Sequence, residues 1–130
     1  MISAQLKKEV EDWIKHDPDK ESAKQLTKWL NESNEFELKR CFNGFLQFGT
    51  AGLRGALGPG PSCMNRAVVA RTATGIVAFM ERNNLKSVVI GRDARHGSKE
   101  FALDSAEIFA GAGISTFLLP RELPTPVLAF

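Results

Sequence analysis

Six of the chain's eleven glycines lie between Gly44 and Gly60, with Pro59 and Pro61 beside them, and this stretch limits the possible folds more than any other feature. Glycine loses the most backbone freedom on folding and proline withholds a backbone donor, so a run rich in both sustains neither a long helix nor an uninterrupted strand. A short strand over 54–57 is the most that it allows. Regular structure must therefore come from the two flanks, and these read differently.

The first 45 residues read as helices. Ser3 can cap a segment that sets Leu6, Val10, Trp13 and Ile14 on one face. Asp17-Pro18 restarts a helix, with Asp17 as N-cap, Pro18 in the first position, and Ala23, Leu26, Trp29 and Leu30 turned inward. Asn34 and Glu37 form a capping-box-like pair ahead of Phe36, Cys41, Phe42 and Phe45, whose helical spacing marks them as packing residues.

From Asn65 the pattern is that of alternating helix and strand. Asn65 caps a helix bearing Val68, Val69, Ile76, Phe79 and Met80. The β-branched run 87–90 is a buried strand, residues 91–97 a loop, and Ser98 the cap of a helix with Phe101, Ala102, Ile108 and Phe109. Gly111 and Gly113 end that helix and 114–119 forms a second buried strand. This order predicts an α/β fold with a mainly parallel, mixed sheet and flanking helices, preceded by an N-terminal helical extension. The expected division is 1–45 for the extension and 46–130 for the α/β domain. The chain ends at Phe130, four residues past Pro126, where Val127, Leu128 and Phe130 open another helix, so a fragment is expected.

Charge narrows the function. The net charge of +2 is too small to argue for nucleic acid, and no basic residues interleave with aromatics. Residues 1–40 carry 8 Lys/Arg against 9 Asp/Glu, and residues 41–130 carry 9 against 6, of which seven cations are Arg. Arginine offers a planar fork of donors suited to phosphate. Arg66, Arg71 and Arg82 read as surface residues, whereas Arg54, Arg92 and Arg95 stand in glycine-rich loops. Cys41 and Cys63 match no metal or redox spacing and read as buried thiols of a reducing compartment. With no signal-peptide core and no membrane-length apolar run, the expected location is the cytoplasm.

Two loops can hold an anion. In 48–55, reading FGTAGLRG, Gly49, Gly52 and Gly55 let backbone N–H groups approach a phosphoryl group. Thr50 adds a hydroxyl and Arg54 a charged fork; a glycine-rich turn with a solvated Arg is the plainer reading of the same residues. The second loop, 91–98, reads GRDARHGS between a strand and a helix start. There Asp93 with Arg92 or Arg95 can form an ordering ion pair as readily as Arg95 can touch a ligand, and His96 has no identified partner. Pro124-Thr125-Pro126 stiffens a third loop. No G-x-x-x-x-G-K-S/T, H-E-x-x-H or G-x-S-x-G motif occurs, and Gly111-Ala112-Gly113 precedes a strand, the wrong order for a dinucleotide site.

At these residues the chain resembles the α-D-phosphohexomutases, the phosphoglucomutase/phosphomannomutase superfamily. Residues 48–55 match its opening F-G-T-S/A-G-L-R-G signature; 88–98, VVIGRDARHGS, and 123–126, LPTP, are similar to its second and third loops, in the same order. Trp13-Ile14, His16-Asp17-Pro18-Asp19 and the run from Gly58-Pro59-Gly60 to Met64-Asn65 are similar to the longer bacterial phosphomannomutase branch, itself like the phosphopentomutase-like phosphoglucomutases. The resemblance implies domain I of a four-domain enzyme that interconverts hexose 1-phosphate and 6-phosphate through a phosphoserine and a hexose 1,6-bisphosphate, with Mg²⁺. It implies that Thr50, Arg54, Gly49 and Gly52 lie near the phosphoserine and the sugar phosphate, Arg54 stabilising the phosphoryl group, with Arg95 and His96 nearer the edge. The expected partners are the sugar-phosphate substrate and the remaining domains, with no nucleic acid and no membrane.

The family's T-x-S-H-N-P serine loop and its Mg²⁺-binding Asp motif are absent from these residues, and Ser62, Ser98 and Ser115 do not stand in such a motif. The chain alone is therefore expected to be inactive, with no metal ligands of its own. The alternative is a non-enzymatic phosphate-binding or interaction module.

Overall fold

The computed structural model describes residues 2–46, 48–49, 52–92, 94–95 and 97–122, and for Phe48, Gly49 and Gly52 the backbone alone. The chain forms two compact units, Met1–Val68 and Val69–Phe130.

In the first unit, helix α1 spans Ala4–His16, α2 Lys20–Asn31 and α3 Glu35–Cys41. The amphipathic spacing places Leu6, Val10, Leu26 and Leu38 in one buried cluster, with Trp13, Ile14, Trp29, Leu30 and Phe42 packed around it. Val10, Leu26 and Leu38 are fully buried, and each contributes roughly 1.5–3 kcal/mol of hydrophobic stabilisation. Trp13 meets Phe42 edge-on, centroids 6.0 Å apart, which ties α1 to the residue that ends α3. Ser3 caps α1 by accepting the Leu6 N–H at 3.1 Å.

The start of α2 differs from expectation. Asp19 is its N-cap, accepting from the Glu21 and Ser22 N–H groups, while Asp17 closes α1 and accepts the Asp19 N–H at 2.9 Å. Two acidic residues flank Pro18, and the second one wins because its carboxylate sits beside the unpaired N–H groups. Burial raises the Asp17 carboxyl above its ordinary range, its own bond to the Asp19 N–H opposing. At α3, Asn34 accepts the Glu37 N–H, but the Glu37 carboxylate turns forward to Arg40 instead of back to the cap. Phe36 and Phe45 are not core residues: they are 75% and 51% exposed. Phe36 instead walls a concavity of about 520 Å³ with Leu6, Lys39 and Phe42.

The glycine-rich stretch holds a two-residue antiparallel pair, β1 (Phe48–Gly49) with β2 (Gly52–Leu53), in the register Phe48 to Leu53 and Gly49 to Gly52. The short strand expected over 54–57 does not form. Strand structure stops at Leu53, and Leu57 makes a single bridge to Met64.

Helix α4 (Arg66–Arg82) leads into the second unit, which continues with β3 (Ser87–Ile90), α5 (Ser98–Gly111) and β4 (Ser115–Leu118). β3 and β4 pair in parallel, Ser87 with Ser115 through Ile90 with Leu118, so the predicted α/β fold with a parallel sheet is present. Ala73, Val77, Met80, Phe109 and Ile114 form its core, with Val88, Ile90 and Ile108 packed against them. The sheet is covered on one face only. Val88 and Ile90 turn in, whereas Val89 and its register partner Phe117 are 52% and 60% exposed, so neither strand is buried on both faces. Ile76 and Phe79, expected to point inward, are also largely exposed; the inward stripe of α4 runs one position later, through Ala73, Val77 and Met80.

Candidate functional site

The register of β1 with β2 brings Gly49 and Gly52 opposite each other, joined through Thr50 and Ala51, which lie outside the described residues. Two glycines paired at the end of a hairpin leave both backbones without a Cβ where a ligand would approach. Arg54 follows β2 directly and is exposed. Gly55 comes next; a Cβ there would lie 2.8 Å from a Leu46 methyl, so the stem that leaves the hairpin runs close against the stem that enters it. The described hairpin thus places two glycines without Cβ atoms and one permanent cation within a few residues of each other.

The loop 56–65 after the hairpin folds back on both stems. Met64 donates its N–H to Ala56 O at 2.8 Å, and Leu46 donates to Pro61 O at 3.1 Å. Ser62 Oγ accepts the Asn43 N–H at 2.8 Å and donates to Gly44 O at 2.7 Å. Gly60 has φ +88 and lies so close to α3 that a Cβ would come 2.6 Å from Cys41 O. Cys41 and Cys63 are both free and buried, their sulfurs 4.0 Å apart. Burial, and next the neighbouring Cys63 thiol, push the Cys41 thiol well above its ordinary range, so it stays protonated. Both thiols are buried packing residues.

In the second unit the loops leaving β3 and β4 emerge on the same edge of the parallel pair. Arg92 in the first of them binds Glu122 in the second at 2.8 Å. The Arg92 side chain is only 16% exposed, and its fork ties the two loops together. The Glu122 carboxyl is held below its ordinary range by a bond to its own backbone and then by Arg92. Of the two roles open to this loop's arginines, Arg92 takes the structural one, with a partner 30 residues away in Glu122. Arg95 is exposed; His96, Asp93 and Pro124 to Pro126 lie outside the described residues. Gly97, at φ 86, is the N-cap of α5 and Ser98 is already inside the helix, so the expected Ser98 cap gives way to a left-handed glycine with no side-chain cap. His16 closes α1, its Nδ1 3.0 Å from Asp12 O, which gives it a structural place.

Residues 46–130 match the family described as phosphoglucomutase/phosphomannomutase, alpha/beta/alpha domain I. The chain belongs to this family. It is similar to the human protein named phosphopentomutase, 34% identical over 137 residues that cover 98% of this chain and 22% of that protein. It is also similar to the probable phosphomannomutase of Haemophilus influenzae, 50% identical over 68 residues, 52% of this chain and 14% of that one. A phosphoglucomutase of Staphylococcus haemolyticus is 34% identical over 121 residues, 92% of this chain and 21% of that one. The chain therefore spans about a fifth of the length of relatives such as the human protein. No solved structure gives a significant match.

The family assignment explains why the glycine hairpin sits where the domain begins: residues 46–130 open on it. Among the described residues no three of His, Cys, Asp or Glu come together as metal ligands. The described residues therefore do not themselves supply the ligand set that Mg²⁺ would need. No helix among the described residues is long and apolar enough to cross a membrane. Sequence reasoning missed the bonds of Ser62 to Asn43 and Gly44 and those of Asn65 to Gly58, Gly60 and Cys63. Their one legible signal was a pair of hydrogen-bonding side chains inside a Gly/Pro-rich run.

Proposed function

We propose that the polypeptide carrying this chain is a phosphohexomutase, interconverting sugar 1-phosphates and terminal sugar phosphates by way of a phosphoserine and a sugar bisphosphate. The 48–55 hairpin holds a phosphoryl group of the substrate. The observation that carries this reading is the pairing of Gly49 with Gly52 two residues ahead of Arg54, in a chain whose family is that of phosphomutases. In the reaction proposed, the serine-bound phosphoryl group passes to the free hydroxyl of the sugar monophosphate, the bisphosphate reorients, and its other phosphoryl group returns to the serine. A phosphoryl group in transfer spreads charge over its oxygens, so the protein's contribution is placement and electrostatic stabilisation.

Gly49, Gly52 and Thr50 supply backbone and hydroxyl donors in this reading, and Arg54 the compensating charge. Arg95 and His96 serve the rim of the site. The serine and the Mg²⁺ ligands belong to parts of the polypeptide outside this chain, and the enzyme is cytoplasmic. The relatives named phosphopentomutase, phosphomannomutase and phosphoglucomutase support a phosphorylated pentose or hexose as substrate.

The test is turnover. The natural-length polypeptide, given Mg²⁺ and a trace of glucose 1,6-bisphosphate, should convert glucose 1-phosphate, mannose 1-phosphate or ribose 1-phosphate to the terminal phosphate, while residues 1–130 alone should convert none. Failure of the natural-length polypeptide on all three sugars would count for the non-enzymatic module, as would a stop codon directly after Phe130.

A further inference from the structure

We propose that Asn65 is a positioning residue for the phosphate hairpin, acting through the 58–65 loop that grips both of the hairpin's stems. The inference rests on the reading of 48–55 as the phosphate-holding loop and names what holds that loop in place.

Asn65 is the one buried polar residue among those described, 6% exposed. Its Nδ2 lies 2.8 Å from Gly58 O, 2.7 Å from Gly60 O and 3.3 Å from Cys63 O, while its Oδ1 accepts the Val68 N–H at 2.9 Å. Three carbonyls on one side and an N–H on the other fix which end of the carboxamide points where. Nδ2 carries two hydrogens, so Gly58 O and Gly60 O take the strong bonds and Cys63 O shares the remainder. One side chain therefore does two jobs. Its oxygen caps α4, and its nitrogen draws Gly58, Gly60 and Cys63 into a single tight loop.

That loop is what reaches the hairpin. Through Pro61 O and Ser62 Oγ it holds Leu46, Asn43 and Gly44 on the entering side; through Met64 it holds Ala56 and Gly58 on the leaving side. Among the described residues, β1 and β2 are joined by two residue pairs. A pair that short does not set its own orientation, because an isolated two-stranded ribbon is marginal even at greater length. The direction in which Gly49, Gly52 and Arg54 face is thus imposed from the stems. An N-cap alone needs only an acceptor, which serine supplies as well as asparagine. The donors to three carbonyls are needed only for the loop.

This division of labour gives the test. In the natural-length polypeptide Asn65→Ser keeps the helix cap and removes the donors. At a temperature where circular dichroism shows the variant fully folded, it should lose about 10–100-fold in kcat/KM, the scale of a misplacement of about an ångström. Amide exchange at Leu46 and Met64 should quicken by at least about tenfold. Leu26→Ala, which destabilises the helical cluster without touching the loop, should stay within about twofold of the parent in kcat/KM when folded. The proposal is overturned if folded Asn65→Ser turns over within about twofold of the parent, or no worse than Leu26→Ala. Should Asn65→Ser not fold, Ser62→Ala, which leaves Asn65 and its cap in place, must show the same paired loss of turnover and of Leu46 protection, and normal turnover in it overturns the proposal. If Arg54→Ala leaves turnover intact, the phosphate-loop reading itself fails, and the positioning role falls with it.

Discussion

Arg54→Ala in the natural-length enzyme is expected to lower kcat/KM by about 10²–10³-fold, equivalent to roughly 3–4 kcal/mol of transition-state stabilisation. Arg54 lies one residue beyond β2 and two beyond Gly52, outside the buried clusters, on a stretch whose strand structure has ended. An exposed side chain there contributes little to folding, and surface substitutions usually shift stability by within about 0.5 kcal/mol. In the proposed role it offers a permanent positive charge close in sequence to the Gly49–Gly52 pair. Arg54→Lys keeps the charge and loses the planar pair of donors, so it should recover only part of the loss. Steady-state kinetics with a melting curve for each variant checks this. Near-normal turnover in Arg54→Ala, or a lost fold in place of lost turnover, contradicts the role.

Gly60→Ala should be the most damaging single-methyl change in the first unit. At φ +88 an L-residue pays roughly 1–2 kcal/mol for the left-handed conformation alone. The new Cβ would also meet Cys41 O at 2.6 Å, a backbone atom that cannot rotate away, and Phe42 Cε2 at 3.1 Å. A total of about 3 kcal/mol or more is expected, because α3 and the 58–65 loop must separate to admit it. Gly75→Ala is the control: in α4, with nothing within 4 Å of the new methyl, it should stabilise by about 0.5–1 kcal/mol. Urea titration of the two variants should give midpoints that move in opposite directions. A Gly60→Ala midpoint equal to the parent's would mean that the close approach to α3 is not part of the folded state in solution.

Much of the scaffold was legible because its signal is local. The spacing of Leu6 and Val10 set the buried face of α1, and the β-branched run at 87–90 with the glycines at 111 and 113 located β3, α5 and β4. Where reading failed, it failed for want of non-local information. Helical spacing placed Phe36, Ile76 and Phe79 on faces of their helices but carried no sign of whether another element covers them. Choosing Asp19 over Asp17 as the cap required knowing how the chain runs through Pro18. At the site, the glycine spacing and Arg54 were readable from eight adjacent residues. The Arg92–Glu122 ion pair joins residues 30 apart, and Ser62 reaches back 18 and 19 residues to Gly44 and Asn43. Such side-chain bonds have no period, so no pattern along the chain announces them.

The central claim is that the 48–55 hairpin holds a phosphoryl group, and it is tested most directly by titrating the ¹⁵N-labelled chain with glucose 1,6-bisphosphate. The account predicts saturable shifts at the Gly49, Gly52 and Gly55 amides and at Arg54 Nε, all lost in Arg54→Ala. Saturable shifts that bypass these four groups, or no shift at millimolar ligand in a folded chain, would contradict it.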